Sequence, residues 1–271
     1  MSKSPNREVA SLTRVPLPVE AARIGATGWQ LARTGARVVG NVFSKGSLQH
    51  KVIKQIPKTF SDLGPTYVKL GQIIASSPGA FGEPLSREFR SLLDRVPPAD
   101  KDEVHRLLRE ELGGEPTDLF ETFDDEPFAS ASIAQVHYAK LHSGEPVVVK
   151  IQRPGIRRRV AADLQILKRG AQVAELAKLG QRLSAQDVVA DFADNLAEEL
   201  DFRLEAQSMD AWVAHMHSSP LGENIRVPQV YWDLTSERVL TMERVEGIRI
   251  DDAAAILKAG FDGEELVKAL L

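Results

Sequence analysis

Two kinds of residue in this sequence could do chemistry together: a lysine at the end of a strand-like run, and a row of carboxylates further along the chain. Lys150 directly follows Val147-Val148-Val149, and the carboxylates are Glu198, Glu199, Asp201 and Glu205. An ammonium group can neutralise phosphate oxygens, and a carboxylate within reach can hold that ammonium in place. Strands also commonly end in a solvated surface lysine, so the strand alone leaves both interpretations open.

The segment around Lys150 has the pattern of a β-hairpin. Ser132–Ala139 has strand character, Val147–Val149 is β-branched, and His142–Glu145 between them is a turn signal. The hairpin places Lys150 beside the loop Ala129-Ser130-Ala131-Ser132, which precedes the first strand. This is the arrangement of a kinase nucleotide lobe, in which a loop covers the phosphates and a strand lysine pairs with them.

The carboxylates lie in a segment with helical periodicity. The pattern predicts one helix, which begins with a sequence like a capping box at residue 184 and ends at about residue 216. On such a helix Asp201 and Glu205 share a face, but Glu199 and Asp201 stand about 200° apart. We therefore expect either a kink in the helix or different partners for Glu199 and Asp201.

Further segments complete the expected fold. Pro57–Ser77 has helical spacing with a break at Gly64-Pro65, which places Lys69 and Gln72 on one face of the second part. The remaining segments are a capped helix over Lys101–Leu112, a helix from about Ile156, and strands over Arg226–Tyr231 and Arg238–Glu243. We expect an α+β protein with a helix packed against a five-stranded antiparallel sheet, of which the hairpin and these segments supply four strands.

Composition excludes several kinds of site. Hydrophobic residues make up 43% of the 271 residues, which is enough for a buried core. The absence of cysteine excludes disulfides, thiolate metal sites and cysteine nucleophiles. His215 and His217 point to different faces of the predicted helix, so we expect no metal site. The net charge of −4 gives no indication of a nucleic-acid partner, and none is expected.

The N-terminal part carries no signal for secretion or membrane insertion. Its first residues lack the apolar core of a signal peptide. Arg23, Arg33 and Arg37 interrupt the most membrane-like stretch, Ala21–Phe43, so we expect that it does not span a bilayer. A packed helix and a helix lying on an anionic membrane surface remain alternatives for this stretch. We expect a cytoplasmic protein, with peripheral membrane contact left open.

Five motifs follow one another along the chain. They are the KxGQ sequence Lys69–Gln72, an alanine-rich loop at Ala129–Ser132, the strand and turn Val149–Gly155, an ExD element in Glu199–Ala206, and a hinge in Leu240–Gly247. Together they resemble the AarF/UbiB family of atypical kinases, which includes ubiquinone-biosynthesis proteins. The resemblance implies a protein-kinase-like N-lobe, with an antiparallel sheet and a helix equivalent to αC, preceded by a helical extension.

The resemblance also implies a role for individual residues. Lys150 would contact ATP and pair with Glu205. The segment with Lys69 would fold over the cleft, where Glu199 would meet Lys69. The implied catalytic set is Lys150, Glu205, Lys69, Gln72, Glu199 and Asp201, and the implied nucleotide contacts are Ala129, Ser130, Ala131, Ser132, Lys150, Met242, Glu243 and Val245. Ser130 departs from the family's Ala-Ala-Ala-Ser loop, and alanine is less permissive than glycine, so this loop should bind phosphates less adaptably than a glycine-rich one.

A kinase also needs a catalytic loop with Asp and Asn, and an Asp-Phe-Gly element that holds Mg²⁺. The sequence contains neither, and Phe261-Asp262-Gly263 is only a permutation of the second. We therefore expect the amino-terminal part of a longer kinase, with Mg²⁺ ligands outside this chain and most of the larger C-lobe missing. The predicted domains are an N-terminal helical segment at 1–56, the KxGQ extension at 57–98, the N-lobe at 99–250 and the start of the C-lobe at 251–271.

Two functions from different classes follow. The first is the ATP-binding lobe of an atypical kinase or ATPase, linked by the resemblance to isoprenoid-quinone or lipid metabolism. The second is a non-catalytic module that binds a nucleotide, a lipid or quinone-related small molecule, or a partner protein. Release of phosphate from ATP would distinguish them.

Overall fold

The structure is a computed structural model, and it describes residue 23 and residues 25–29, 48–90, 97–176, 184–216 and 225–263. Most of the stretch Ala21–Phe43 and the last part of the predicted segment 251–271 lie outside the described residues. Residues 25–29 are helical. In the described part of the chain, no helix is long and apolar enough to cross a membrane.

The described helices and strands are named in chain order. They are α1 Leu48–Leu63, α2 Pro65–Ser76, α3 Pro78–Phe81, α4 Glu83–Phe89, α5 Lys101–Leu112, α6 Pro116–Leu119, β1 Thr122–Phe123, β2 Ala129–Ser130, β3 Ala134–Lys140, β4 Pro146–Gln152, α7 Ile156–Leu176, α8 Ala185–Glu199, α9 Phe202–Met216, the 3₁₀ helix Trp232–Leu234, β5 Val239–Glu243 and α10 Ala253–Lys258.

The chain divides into two compact units, each made of three separate stretches. The first unit is Met1–Asp100, Ala129–Gln135 and Gln152–Leu200, and the second unit is Lys101–Phe128, Val136–Ile151 and Asp201–Leu271.

A helical core holds the first unit together. Gly64, with a φ of 104°, ends α1 and lets α2 begin at Pro65, as the Gly64-Pro65 break predicts. Helix α8 packs along α7, and α2 packs on α4 and α7. The core includes Leu70 and Ile74 from α2, Leu164 from α7 and Phe192 from α8.

The sheet has five strands in the order β1-β3-β4-β5, with β2 paired to β3. Strands β4 and β5 are antiparallel, with Val147 opposite Glu243 and Lys150 opposite Leu240. Within the second unit, α9 packs on β5. The α+β class and the antiparallel sheet are therefore confirmed, as are the predicted hairpin and the helix over Lys101–Leu112.

The prediction of one continuous helix from residue 184 to residue 216 is wrong. Helix α8 ends at Glu199, and α9 begins at Phe202. Between them, the Asp201 carboxylate accepts a hydrogen bond of 3.1 Å from the Arg203 backbone amide. An aspartate in this position satisfies an amide at the start of a helix, which favours a new helix over a continuing one. The alternative of a kink near Asp201 is thereby confirmed.

The strand predicted over Arg226–Tyr231 is also wrong. Its only strand-like pairing among the described residues is an isolated bridge between Val230 and Met242. Pro228 has no amide hydrogen to give to a sheet, which limits how far the segment can pair.

Candidate functional site

Lys150 lies near the end of β4 and contacts two side chains of α9. Its Nζ is 2.6 Å from Oε2 of Glu205 and 4.7 Å from the centre of the Phe202 ring. Phe202 and Glu205 are three positions apart at the start of α9, so both side chains lie on one face of that helix. The predicted contact between Lys150 and Glu205 is present, and it lies within the second unit.

The Lys150 ammonium is partly open to solvent. Its side chain is 26% exposed and that of Glu205 is 42% exposed. Ion pairs with this much exposure contribute about 0–1 kcal/mol to folding. The pair therefore orients the lysine more than it stabilises the protein, and the ammonium stays accessible to an anion.

The predicted hinge residues lie at the end of β5 and just beyond it. Met242 and Glu243 are the last residues of the strand, and Val245 is exposed. The Glu243 amide donates to the Gln229 carbonyl at 2.8 Å, and the Arg244 amide donates to the Pro146 carbonyl at 3.1 Å. These bonds fix the backbone at this point and already use two of the amides in the segment.

In the first unit, Lys69 pairs with Glu199. Lys69 lies on α2 and its Nζ contacts Oε1 of Glu199, the last residue of α8. The two side chains are 27% and 39% exposed. Gln72 is partly buried one turn further along α2. The predicted partnership of Lys69 and Glu199 is thus present, while the functional roles of Lys69, Gln72 and Glu199 stay predictions.

The two acidic residues of the ExD element have different partners. Glu199 contacts Lys69, whereas Asp201 is buried and accepts hydrogen bonds from Nε and Nη2 of Arg203 at 2.8 and 2.6 Å. This outcome matches the expectation that one straight helix cannot direct both carboxylates to the same place. The structure therefore gives Asp201 a place at the start of α9, and its predicted catalytic role stays a prediction.

The alanine-rich loop is held by Arg153. The guanidinium donates to the carbonyl of Ala131 at 2.8 Å and to the hydroxyl of Ser130 at 2.7 Å. The loop closes on itself through the Ala131 amide and the Ala134 carbonyl at 2.8 Å. Ser132, the last residue of the predicted phosphate loop, is buried.

A buried polar cluster supports α2 and α7 in the first unit. Asp163 is fully buried and accepts hydrogen bonds from Arg23 Nε at 2.5 Å and from the Thr66 hydroxyl at 2.7 Å. Burial and, next, the charge of Asp163 raise the pKa of Tyr67 to about 12. The cluster packs the helix that carries Lys69.

Sequence reasoning missed three of these residues. Arg153 and Phe202 lie inside two of the five motifs without being among the predicted site residues, and Asp163 lies outside all five motifs. Phe202 carried a usable signal, because an aromatic residue three positions before Glu205 on a helix must share its face. No comparable sequence signal marks Arg153, because its hydrogen-bond partners depend on how the turn after β4 folds. In the part of the chain that the structure describes, no cluster of His, Asp and Glu could hold a metal ion.

The antiparallel sheet, with a strand lysine paired to a carboxylate of the packed helix, defines a protein-kinase-like fold. The sequence matches the ABC1 atypical kinase-like domain over residues 91–271. This chain belongs to that family, and it is of the AarF/UbiB type.

The chain is also similar to relatives of known sequence or structure. The chain is 78% identical to Rv0647c of Mycobacterium tuberculosis over all of its length and 56% of that protein. It is 41% identical to the probable protein kinase UbiB of Azotobacter vinelandii over 74% of this chain and 37% of that protein. The solved complex of Rv3197 with erythromycin from Mycobacterium tuberculosis matches 90% of this chain and 55% of that one, with 26% identity and a TM-score of 0.50. The chain therefore spans about half the length or less of these proteins.

Proposed function

We propose that this chain is the ATP-binding part of an atypical kinase or ATPase, and that Lys150 contacts the nucleotide phosphates. The observation that carries the proposal is the contact between Lys150 Nζ and Glu205 Oε2 at 2.6 Å. A strand lysine held by a helix carboxylate is the arrangement that kinases use to orient the α- and β-phosphates. The accessible ammonium can gain phosphate oxygens as neighbours without leaving Glu205.

The end of β5 is the proposed adenine contact. The amides of Glu243 and Arg244 already donate to the carbonyls of Gln229 and Pro146. An adenine ring needs a donor and an acceptor side by side, so we assign the donor to the amide of Val245 and the acceptor to the Glu243 carbonyl. Met242, which is partly buried at the end of the strand, would contact the ring.

Phosphoryl transfer is proposed for the whole protein and not for this chain alone. The sequence contains no Asp-Phe-Gly element, and transfer depends on carboxylates that hold Mg²⁺. The acceptor is proposed from the family alone: the UbiB type links the protein to isoprenoid-quinone or lipid metabolism. The alternative is a non-catalytic module that binds a nucleotide, a lipid or a partner protein at the same site, without release of phosphate by the full-length protein.

Calorimetric titration of ATP into Lys150→Ala tests the proposal. We expect ATP affinity to fall by about tenfold or more, because one charge-assisted contact to phosphate is worth about 1.5–3 kcal/mol. Lys140→Ala is the matched control, since Lys140 lies on the neighbouring strand and pairs with Glu121 at 2.7 Å. Equal ATP affinity in Lys150→Ala, Lys140→Ala and the unchanged chain would overturn the proposal.

A further inference from the structure

Arg153 binds the loop between β2 and β3 at several points. Its side chain donates to the Ala131 carbonyl and the Ser130 hydroxyl, and its backbone amide donates to the Ile133 carbonyl at 2.9 Å. The guanidinium also donates to the Pro97 carbonyl at 2.8 Å, which ties the segment before α5 to the same group. All these residues belong to the first unit.

The position of Arg153 explains why one residue can reach so many acceptors. It directly follows β4, and its carbonyl accepts from the Ile156 amide at 3.1 Å in the turn that leads into α7. Gly155 permits this turn with a φ of 72°. The backbone of Arg153 is therefore fixed between a strand and a helix, and its planar guanidinium presents several N–H groups in fixed directions.

Ser130 makes the anchor specific to this loop. Its hydroxyl accepts from Arg153 Nη2, and an alanine at the same position could not. A loop with alanine at this position offers the guanidinium only backbone carbonyls, whereas this loop also offers the Ser130 hydroxyl. The loop contains no glycine, so its backbone starts with a narrower range of conformations.

We propose that Arg153 is a positioning residue that holds residues 129–133 in one conformation before any nucleotide binds. For its effect on binding, the inference rests on the proposed function, ATP binding, and on the contact between this loop and the nucleotide phosphates that the family resemblance implies. A loop that is already ordered loses less conformational entropy on binding, so its anchor raises affinity without touching the ligand. Arg153 acts through the loop and not on the nucleotide itself.

Hydrogen exchange on the ligand-free chain tests the anchor without any nucleotide. The readout is the peptide that contains the Ala131 amide, which is protected by the Ala134 carbonyl. We expect this amide to exchange about tenfold faster in Arg153→Ala than in the unchanged chain, and nearly as fast in Arg153→Lys as in Arg153→Ala. Ser130→Ala should show a smaller increase in the exchange rate. Arg158→Ala, which changes an exposed arginine of α7, is the matched control. Unchanged exchange in Arg153→Ala would overturn the anchor.

Nucleotide titrations on the same variants test the link to binding. We expect ATP affinity to fall about fivefold or more in Arg153→Ala and less in Ser130→Ala, with AMP affinity nearly unchanged, because the loop is expected to meet the outer phosphates. Ser130→Ala keeps the test valid if Arg153→Ala does not fold. Faster exchange with unaltered ATP affinity would overturn the role in binding. A chain that binds no ATP before any substitution would refute the proposed function, while the exchange experiment would still decide the anchor.

Discussion

Phe202 and Glu205 approach the Lys150 ammonium from the same face of α9. The ring lies 4.7 Å from Nζ, and the Phe202 side chain is buried. A cation over an aromatic face gains about 0.5–2 kcal/mol, depending on how far it is desolvated. Lys150 thus contacts both a ring and a carboxylate of α9, which restricts its rotamers more than one partner would.

Phe202→Leu removes the ring face and keeps an apolar side chain. We expect ATP affinity to fall by about three- to tenfold, since the lost cation–π contact is worth about 1 kcal/mol. The measurement is calorimetric titration with ATP. Phe192→Leu is the matched control, because Phe192 is equally buried but lies in the core of the first unit. If both variants bind ATP as the unchanged chain does, Phe202 does not position Lys150.

The ion pair between Lys69 and Glu199 should add little to stability. With side chains 27% and 39% exposed, its coupling energy in a double-mutant cycle is expected to be about 0.2–1 kcal/mol. The cycle compares Lys69→Ala, Glu199→Ala and the double variant by urea unfolding. A coupling energy above about 2 kcal/mol would show that the ion pair contributes strongly to the stability of the first unit and does not behave as a solvent-accessible pair.

The family resemblance, and not spacing alone, implies these two ion pairs, because each partner occupies one of its motifs. Sequence patterns predict only the elements that carry the partners. Lys150 ends a β-branched run, and Glu205 lies on a helix whose phase is readable. The contacts of Arg153 and Asp163 were not readable, since they depend on turn geometry and on which side of α7 meets α2. Periodicity identifies the face of an element, but it does not identify the neighbour that the face meets.

At the scale of elements, α5 is tied to the segment before β5 by an acidic residue. Glu111 accepts hydrogen bonds from the Ser236 hydroxyl at 2.6 Å and from Arg238 Nε at 2.7 Å. Burial opposes ionisation of Glu111, but the hydrogen bonds from Ser236 and Arg238 outweigh it and lower its pKa below the ordinary 4.5. The charged form of Glu111 therefore stabilises the second unit.

Glu111→Gln should destabilise the chain at neutral pH and much less in acid. Because the folded pKa is depressed, the stabilisation is fully present above the unfolded value of 4.5 and is lost as the pH falls through the folded value. We expect a loss of about 1–2 kcal/mol in urea unfolding at pH 7, and a smaller difference at pH 3.5.

Glu110→Gln is the control for this experiment. Glu110 also contacts Arg238, at 3.0 Å, but its side chain is 53% exposed. We expect a loss below about 1 kcal/mol at pH 7. A Glu111→Gln difference that is the same at pH 3.5 as at pH 7 would contradict the role given to its charge.

The break between α8 and α9 shows where helical periodicity misleads. The apolar spacing continues through residues 184–216, so the pattern predicts one helix. Asp201 changes the outcome, because its carboxylate binds the Arg203 amide and gives the second helix its own start. The break matters for the site, since it separates Glu199 at the end of α8 from Glu205 in the first turns of α9.

At the scale of the whole molecule, the unit boundaries could not be predicted from sequence. Two of them fall inside β3 and β4, between Gln135 and Val136 and between Ile151 and Gln152. No change in composition marks either point, and Pro154-Gly155 follows the second point only after β4 has ended at Gln152. Sequence predicts the boundaries of elements through caps and turns, whereas compact units are set by long-range packing.

The chain used by itself should bind ATP without hydrolysing it. On the proposed function, Lys150 and the end of β5 would provide ground-state contacts, but no Asp-Phe-Gly carboxylate in these residues can hold Mg²⁺ at the transferring phosphate. Binding is expected to raise the unfolding free energy by about 2.7 kcal/mol when ATP is at 100 times its dissociation constant. Thermal unfolding with and without ATP measures this gain, and Lys150→Ala, with an affinity lower by about tenfold or more, should lose about half of it or more.

A phosphate-release assay on the same purified chain completes the experiment. We expect release at the background rate with ATP and Mg²⁺, in the unchanged chain and in Lys150→Ala alike. Release that is present in the unchanged chain and abolished in Lys150→Ala would contradict the prediction, because it would show that the groups needed for transfer lie within these 271 residues. Release that persists equally in Lys150→Ala would instead identify a contaminating ATPase, since a lysine that orients the phosphates cannot be removed without slowing transfer.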